Sequence, residues 1–332
     1  MVDRILLGHG SGGKLMHDLI RRHFSPAFGT EGSGDSAIVS MHSARLAYTT
    51  DSYVVTPLFF PGGNIGDLAV NGTVNDLAVS GAEPLFLTAG FIIEEGFPLA
   101  DLDTIIGSMS LAAKKAAVRI VAGDTKVVNK GKADGIFINT SGIGLMPDGR
   151  IISASKIKSG DKVIISGEIG NHGTAIIAER NGLTFTPPIV SDTCPLHDLV
   201  RSMYETTTEI HFMRDPTRGG LATTLKEAAL ESGLCIHVQE LSLPIPPGVK
   251  GACSLLGLDP LYVANEGVLI AVVEGAIAET VVADMRRHPH GGHAVVIGEV
   301  VDAPAGMVLL ETAIGGNRVM DMLQGEQLPR IC

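Results

Sequence analysis

Residues 67–93 read DLAVNGTVNDLAVSGAEPLFLTAGFII, and this stretch decides the class of fold. Its first part predicts a helix over residues 67–81, ended by Gly81 and Pro84, because glycine caps helix ends and proline cannot continue a helix. Residues 85–93 are an apolar run of the kind that forms a buried strand. A helix followed directly by such a strand indicates an α/β protein.

The same alternation extends to both sides of this stretch. In the first half we predict strands over residues 46–50, 54–57, 119–122 and 135–145, and a helix from the spacing of Leu102, Ile105, Ile106, Met109, Ala113 and Ala116. In the second half we predict strands over residues 162–166, 234–238, 268–273 and 294–297, and helices over residues 173–180, 199–208, 221–231 and 277–286. The turn cluster MPDGR at residues 146–150 separates the two halves.

These predictions divide the chain into three parts. We expect an N-terminal α/β domain over residues 1–150, a C-terminal α/β domain over residues 151–310, and a flexible tail over residues 311–332, where periodicity is weak. A length of 332 residues favours two domains, because a single core rarely serves so long a chain. Fully extended, the tail would reach roughly 70 Å at ~3.3 Å per residue.

Composition argues against several classes of function. The chain has 36 acidic and 25 basic residues, a net charge of −11, and no basic stripe of the kind that binds nucleic acid. No apolar stretch reaches the roughly 18 residues that span a bilayer, and the first residues lack the apolar core of a signal peptide. The four cysteines, Cys194, Cys235, Cys253 and Cys332, form no CxxC pair. We therefore expect a cytoplasmic protein with no membrane and no nucleic-acid partner.

Five aspartates stand alone in glycine- or threonine-rich settings. They are Asp35 in SGDSA, Asp51 in TTDSY, Asp76 in VNDLA, Asp124 in AGDTK and Asp215 in RDPTRGG. Each is expected where a strand or helix ends. Mg²⁺ in proteins often bridges one or two carboxylates to substrate phosphates, so the set predicts a metal–phosphate site. Taken singly, each aspartate also fits an ordinary turn or helix cap.

Three loops have the composition of phosphate sites. DPTRGG, residues 215–220, leads into the predicted helix 221–231, whose free N–H groups can bind a phosphate together with Arg218. GNHG, residues 170–173, opens another helix, and ordinary capping is the alternative for both loops. GHGSGGKL, residues 8–15, fits GxxxxGK, but Leu15 replaces the hydroxyl residue that holds Mg²⁺ in a P-loop. This loop instead predicts a glycine-rich flap with Ser11 and Lys14 as donors.

The sequence ends in QLPRIC, residues 327–332, with a thiol on its last residue. Such a thiol is either incidental or a reactive group carried by the tail. Arg330 favours its thiolate form, whereas a terminal carboxylate opposes it. The other three cysteines have apolar neighbours and are expected to be buried. The histidines of RHPHGGH, residues 287–293, lack Cys or Glu at ligand spacing and predict a solvated loop.

Several of these segments together resemble one family. In order along the chain they are GDSA, TTDSYVVTPLFFPGG, GDLAVNGTVNDLAVSGAEP, GDTKVV, GNHG, RDPTRGGLA, ANEG and PRIC. The sequence resembles the HypE family of hydrogenase maturation proteins, within the ATP-binding superfamily of aminoimidazole ribonucleotide (AIR) synthetase, selenophosphate synthetase and thiamine-monophosphate kinase. GDTKVV and the aspartate segments are common to that superfamily, whereas RDPTRGG and PRIC are specific. The N-terminal loop lacks the reactive Cys of a selenophosphate synthetase.

The resemblance implies a fold and an activity. The fold is PurM-like and has two domains. The N-terminal domain pairs across a homodimer into a β-barrel, the C-terminal α/β domain flanks this barrel, and ATP lies in a cleft between the halves. The reaction is an ATP-dependent dehydration of an S-carbamoyl group on Cys332 to a thiocyanate, which supplies cyanide ligands to the iron of NiFe hydrogenase. The implied partners are the carbamoyltransferase HypF, which loads the Cys, and the HypC–HypD complex, which receives the cyanide.

The resemblance also implies roles for residues. Mg²⁺ would be held by Asp35, Asp51, Asp76 and Asp215, with Asp124 also near the nucleotide. Lys126 would stabilise the transferring phosphoryl group or orient the carbamoyl oxygen, and Glu266 of ANEG would be the general base. Phosphate contacts would come from Asn171, Arg218, Gly219 and Gly220. Two alternatives stay open: another enzyme of the superfamily, a kinase or selenophosphate synthetase with an incidental Cys332, or a non-catalytic nucleotide-binding scaffold. Whether the tail enters its own protomer or a partner is also open.

Overall fold

The structure, a computed structural model, describes residues 5, 13–28, 36–41, 44–323, 328 and 330–332. Ser11 and Asp35, which we predicted as site residues, lie outside the described residues. The first half contains these elements: α1 (Lys14–Leu19), α2 (Ser25–Phe28), β1 (Ala37–Met41), β2 (Ala44–Tyr53), β3 (Phe59–Phe60), β4 (Gly63–Asn64), α3 (Ile65–Val79), β5 (Glu83–Glu94), α4 (Leu99–Lys115), β6 (Arg119–Val128) and β7 (Ile136–Met146). One π-helical turn, Ile20–Phe24, joins α1 to α2.

The second half contains these elements: β8 (Lys162–Ile165), α5 (Asn171–Arg180), α6 (His197–Thr206), β9 (Ile210–Arg214), α7 (Gly220–Ser232), β10 (Cys235–Gln239), α8 (Pro247–Leu256), β11 (Ile270–Val273), α9 (Ala278–Met285), β12 (Val295–Val301), β13 (Val308–Glu311) and β14 (Asn317–Met320). Its seven strands form one sheet in the order β14-β13-β10-β12-β8-β11-β9. The first half has a five-stranded sheet in the order β1-β2-β7-β5-β6, in which only β5 and β6 are parallel. Both halves are therefore mixed α/β, as predicted.

Helix α3 joins the two halves, and its sequence explains why it forms there. Asn64 caps it by accepting a hydrogen bond from Gly66 N, while Asp67 accepts one from Asn64 N, which together make a capping box. Most of its residues are buried, because α3 lies on the sheet of the first half and also packs its last turn, at Ala78 and Val79, into a core of the second half. Its polar residues Asn71, Thr73 and Asn75 are buried as well, because both halves cover the helix.

The structure corrects two boundaries. Residues 54–57, predicted as a strand, lie outside the regular strands; Pro57 has no N–H to donate to a ladder, and Val54 and Thr56 pair with the end of the chain instead. Residues 317–320, expected in a flexible tail, form β14, which pairs with β13 from Val308↔Met320 to Glu311↔Asn317. Among the described residues, none of the helices is both long and apolar enough to cross a membrane.

Candidate active site

A cleft of about 960 Å³ lies where the two halves meet. Both halves line it, and so does the end of the chain. The lining residues used below are Lys14, His17, Thr49, Asp51, Tyr53, Gly72, Asp76, Arg214, Asp215, Arg218, Thr223, Glu227, Glu266 and Cys332. Seven predicted site residues are thus brought together: Lys14, Asp51, Asp76, Asp215, Arg218, Glu266 and Cys332.

Regular structure supplies most of the acidic groups, contrary to the expectation that each aspartate ends an element. Asp51 lies within β2, Asp76 within α3 and Asp124 within β6, whereas Asp215 directly follows β9. Asp76 Oδ2 accepts a hydrogen bond from Thr49 Oγ1 at 2.7 Å, and Asp51 Oδ2 accepts one from Tyr53 O–H at 3.1 Å. Strand β2 and helix α3 pack together, so their polar residues converge on one wall of the cleft.

The carboxylates are close enough to affect one another's ionisation. Burial raises the pKa of Glu266 well above its ordinary value, and the charges of Asp215, Asp192 and Asp51 raise it further, while Arg218 lowers it. Burial, followed by the charges of Asp51, Glu266 and Asp76, likewise raises the pKa of Tyr53. Like charges held in one cleft favour a bound cation.

The donor set fits Mg²⁺ bound together with phosphate oxygens. No group of three or more His, Cys, Asp or Glu residues suited to a metal occurs in the described part of the chain. A nucleotide-bound Mg²⁺ needs only one or two protein carboxylates, because phosphates and water complete its shell. Asp51 and Asp76 offer hard oxygen ligands on one wall, and Asp215 faces them from the second half.

Glu266 is held at both ends of its main chain. Its N–H donates to Asp192 Oδ2 at 3.2 Å, and its carbonyl accepts from Asn75 Nδ2 at 3.1 Å. The side chain is buried, with the whole residue 2% exposed, and its Oε1 accepts no hydrogen bond from any described residue. A carboxylate that lines a cleft, has a raised pKa and leaves one oxygen without a hydrogen bond is suited to proton transfer.

The loop before α7 presents Arg218, although its two glycines do not line the cleft. Gly219 and Gly220 adopt left-handed backbone conformations with φ of 80° and 60°. A Cβ on Gly220 would lie 2.7 Å from the carbonyl oxygens of Leu261 and Val263, so only glycine fits this close approach. The glycines therefore act by shaping the turn that aims Arg218 and Thr223 at the cleft.

A basic and acidic cluster closes another side of the cleft. His17 Nε2 lies 2.6 Å from Glu227 Oε1, and Arg214 donates to the second oxygen of the same carboxylate. The hydrogen bond to Glu227 raises the pKa of His17. With Lys14, Arg214 and Arg218, this wall carries positive charge suited to a polyphosphate.

The end of the chain docks into the cleft of its own protomer. Val54 N donates to the main-chain oxygen of Cys332 at 3.1 Å, and Thr56 N donates to that of Arg330 at 3.2 Å. The Arg330 side chain pairs with Asp134 and donates to Val54 O. Cys332 is consequently buried, at 8% exposure, rather than carried on a free tail.

Burial also determines the state of the thiol. It raises the pKa of Cys332 to about 12; Arg218 opposes this shift, whereas the charges of Glu266, Asp51 and Asp215 add to it. The cation that lowers the pKa of the thiol is therefore Arg218, in the loop before α7, and not the neighbouring Arg330 that the sequence suggested. In the docked state the sulfur is a protonated thiol enclosed by the reactive groups of the cleft.

Besides Gly219 and Gly220, three further predicted residues do not line this cleft. Asp124 and Lys126 pair with each other at 2.7 Å on β6, with side chains 71% and 69% exposed, and the hydrogen bond from Lys126 lowers the pKa of Asp124. Asn171 is the first residue of α5 and does not line the cleft. Their predicted roles stay predictions.

Sequence reasoning missed Asn75, Asp192 and Asn265, which position the site. Asn265 is fully buried; its side chain accepts from Gly170 N and donates to Pro216 O. It thereby joins GNHG, RDPTRGG and ANEG, three segments the sequence analysis had singled out separately. Asp192, in SDTCP, is isolated in the same way as the five aspartates we selected, and that signal could have found it.

Comparisons with known proteins agree with this geometry. The model for the AIR synthase related protein, N-terminal domain, matches residues 33–146, and that for the C-terminal domain matches residues 158–310. The fold and cleft thus define an AIR synthase-related protein. Carbamoyl dehydratase HypE of Bradyrhizobium diazoefficiens is 54% identical over 330 residues, covering 98% of this chain and 95% of the relative.

Solved structures give the same result. The crystal structure of a HypE–HypF complex contains a chain with TM-score 0.87 and 48% identity, covering 92% of this chain and 99% of that one. HypE in complex with ATP has TM-score 0.84 and 46% identity, covering 99% of this chain and 100% of that one. The chain belongs to the HypE family of carbamoyl dehydratases.

Proposed function

We propose that this protein uses ATP to dehydrate an S-carbamoyl group on its own Cys332 to a thiocyanate, which supplies cyanide ligands for NiFe-hydrogenase maturation. Relatives of about 50% identity are named carbamoyl dehydratases, and one related HypE has been crystallised with ATP. The observation that carries the proposal is the docking of Cys332 into a cleft whose lining includes Arg218, Glu266 and the aspartates Asp51, Asp76 and Asp215.

The chemistry requires activation of a poor leaving group. An amide oxygen does not leave readily, so the carbamoyl oxygen first attacks the γ-phosphorus of ATP, releasing ADP. Loss of the first N–H proton accompanies formation of the C–O–P bond. Loss of the second forms the C≡N bond as the C–O bond breaks and phosphate departs. The products are the thiocyanate, ADP, phosphate and one net proton.

Residues in the cleft match these steps. Glu266 accepts a proton from the carbamoyl nitrogen; its raised pKa makes its ionised form a stronger base. Arg218 neutralises charge near the sulfur-bound group, and Lys14, Arg214 and Thr223 bind the phosphates. Mg²⁺, held by Asp51, Asp76 and Asp215 with Asp35, would neutralise charge on the triphosphate when bound.

Asp124 and Lys126 do not line the cleft of their own chain, so a role for them requires a second copy of the chain. We propose a homodimer in which the first-half sheets pair into a barrel. In support, β6 is an edge strand whose residues are exposed nearly throughout, including the apolar Ile120, Val121 and Val127. In such a dimer, Lys126 would reach a partner's nucleotide, and Asn171 together with the Gly219–Gly220 turn would support the phosphate contacts.

We propose domains over residues 1–150 and 151–310, in keeping with the matched family segments, with β14 at residues 317–320 added to the sheet of the second domain and the tail following it. HypF is the proposed carbamoyl donor, supported by the HypE–HypF crystal structure of a relative. The HypC–HypD complex is the proposed cyanide acceptor. Because the docked thiol is buried, both exchanges require that the tail leave the cleft.

Mass spectrometry of Cys332 tests the proposal against its alternatives. The protein is incubated with the carbamoyltransferase, carbamoyl phosphate and ATP, and the Cys332 peptide is analysed. We expect Cys332 to acquire a carbamoyl adduct, and we expect purified, loaded protein to lose one water from that adduct when ATP is added. A Cys194→Ser variant should behave as wild type, and a variant lacking residues 330–332 should show no adduct. An adduct that never loses water would favour a non-catalytic scaffold. If the variant lacking residues 330–332 still consumes ATP and supports cyanation, the result would favour another enzyme activity of the superfamily.

A further inference from the structure

His172 is a buried side chain that the chemistry above does not use. It belongs to GNHG at the start of α5, is fully buried, and contacts Phe60 edge to face with ring centroids 5.6 Å apart. Its Nε2 lies 2.8 Å from the carbonyl oxygen of Ile331, and its Nδ1 lies 2.8 Å from Ser191 Oγ. The imidazole therefore contacts the residue immediately before Cys332.

These two contacts determine the tautomer. A carbonyl oxygen can only accept, so Nε2 of His172 carries the hydrogen and donates to Ile331. Ser191 O–H then donates to the unprotonated Nδ1. Burial lowers the pKa of His172 to about 4, so the ring is neutral and keeps one donor and one acceptor at physiological pH. Ser191 thus orients the ring, and the ring orients the tail.

Two hydrogen bonds hold the main chain at Cys332 and at the residue before it. Val54 N holds the main-chain oxygen of Cys332, and His172 holds that of Ile331. Asp192 Oδ2 accepts from the main-chain N–H of Glu266 at 3.2 Å, and the hydroxyl of the preceding residue, Ser191, holds the His172 ring. Two adjacent residues, Ser191 and Asp192, therefore connect the residue that holds the tail with the residue we assign as base, which relates the position of the sulfur to that of Glu266.

The first turn of α5 is also shaped for the tail. A Cβ on Gly173 would lie 2.6 Å from Val263 Cγ1 and 3.4 Å from Leu328 Cδ1. Glycine at this position lets α5 approach both the ANEG segment and the tail. Packing and hydrogen bonding therefore point to the same contact, independently of the nucleotide cleft.

We propose that His172 is a positioning residue for the dehydration: as a donor to the Ile331 carbonyl, it holds the Cys332 sulfur in register with Glu266 and the nucleotide. The inference rests on the proposed function for its catalytic consequence. The docking contact itself exists without nucleotide or carbamoyl group and can be measured separately.

Two His172 variants separate hydrogen bonding from shape. His172→Phe keeps a ring against Phe60 but removes both hydrogen bonds, whereas His172→Gln keeps a donor near the position of Nε2. The first readout is alkylation of unmodified Cys332 by iodoacetamide, followed by peptide mass spectrometry, with the Cys253 peptide as internal reference. We expect alkylation about two- to tenfold faster in His172→Phe, the range for one lost hydrogen bond, and close to wild type in His172→Gln.

The second readout is single-turnover conversion of preloaded S-carbamoyl Cys332 to thiocyanate. We expect it to be at least about tenfold slower in His172→Phe and largely restored in His172→Gln, with ATP affinity unchanged in both. Wild-type alkylation and turnover in folded His172→Phe, or failure of His172→Gln to restore either, would overturn the proposal. If wild type forms no thiocyanate, the proposed function fails while the alkylation result still decides the docking contact.

Ser191→Ala provides a second route if His172→Phe does not fold. It leaves the imidazole in place but removes the hydroxyl that fixes its tautomer. We expect faster alkylation of Cys332 and slower turnover than in wild type, both smaller in size than for His172→Phe. Thr193→Ala is the matched control, since its hydroxyl bonds Asn71 and not the ring. Wild-type behaviour of Ser191→Ala would contradict the assigned role.

Discussion

The side-chain amide of Asn75, on α3 of the first half, donates a hydrogen bond to the main-chain oxygen of Glu266 in the second half, 3.1 Å away. The same Nδ2 donates to Cys194 O at 3.0 Å, and Oδ1 accepts from Leu196 N at 2.8 Å. One fully buried side chain therefore satisfies three main-chain groups of the neighbouring half. The proposed base is positioned by a helix from the opposite side of the cleft.

Asn75→Asp should destabilise the protein and slow the reaction. It retains the acceptor for Leu196 but turns a donor into an acceptor facing two carbonyls. We expect the free energy of unfolding to fall by about 1–3 kcal/mol, as for buried groups that lose their partners. Thermal unfolding and single-turnover kinetics measure the two effects. Asn71→Asp is the control: it lies one turn earlier, and its partner Thr193 Oγ1 can reverse the hydrogen bond. Equal losses in both variants would contradict this account.

Glu266→Gln should gain stability while losing activity. The pKa of Glu266 is higher in the folded than in the unfolded protein, so folding favours the protonated carboxyl. The stability that this protonated form contributes is fully present below the unfolded pKa and is lost as pH rises through the folded pKa. Replacing it by Gln removes the cost of a buried charge. We expect the melting temperature to exceed that of wild type at high pH, with the difference vanishing near pH 4. A melting-temperature difference independent of pH would contradict the assigned ionisation.

The same variant tests the role of Glu266 as base. Loss of a general base typically slows the chemical step by about 10²–10⁴-fold. We expect a decrease of that order in single-turnover thiocyanate formation, with ATP binding retained. Glu227→Gln, in the same cleft but paired with His17 and Arg214, is the matched control and should affect ATP affinity more than the chemical step. Near-wild-type turnover in Glu266→Gln would rule out the assignment.

Alkylation of Cys332 should depend on pH in a way that reports docking. With a docked pKa of about 12, the thiol is protonated at neutral pH, and its contribution to docking persists below the unfolded pKa and weakens as pH rises toward 12. We expect alkylation near pH 7.5 to be at least about tenfold slower than in a free peptide of residues 328–332, whose thiol has an ordinary pKa of about 8.5. The ratio should shrink as pH increases. Equal rates at neutral pH would show that the tail is not docked.

Arg330 anchors the tail through its backbone as well as its side chain. Its φ of 51° lies in the left-handed region, which disfavours any residue with a Cβ. Arg330→Ala loses the contacts to Asp134 and Val54 and keeps the backbone strain, whereas Arg330→Gly loses the contacts and the strain. We expect Cys332 to be alkylated faster than in wild type in both variants. The increase should be about fivefold to tenfold smaller in Arg330→Gly than in Arg330→Ala. Identical acceleration would mean that the backbone conformation does not matter to docking.

The sequence predicted much of the fold because its strongest signals were local. The helices near residues 67–81 and 102–116 and the strand near 85–93 appear as α3, α4 and β5, since periodicity and glycine or proline ends agree there. β9, α8 and β14 were missed. β9 is a short five-residue strand buried throughout, so it shows no alternation, and β14 is an edge strand defined by its pairing with β13.

The site was predictable in composition but not in arrangement. Isolated aspartates, Arg218, Glu266 and Cys332 were each visible in the sequence, and the structure brings Asp51, Asp76 and Asp215 to one cleft with them. Long-range hydrogen bonds were not visible: Asn75 reaches Glu266 across 191 positions, and His172 reaches Ile331 across 159. No local pattern encodes such pairs, so the buried thiol and its opposing Arg218 emerged only from tertiary structure.

Oxygen tracing tests the central claim most directly. Protein carrying an S-carbamoyl group on Cys332, labelled with ¹⁸O at the carbamoyl oxygen, is mixed with ATP for one turnover. If ATP phosphorylates that oxygen, the label is recovered in inorganic phosphate and the Cys332 peptide becomes the unlabelled thiocyanate. Label retained on Cys332, or released to water while phosphate stays unlabelled, would contradict the account.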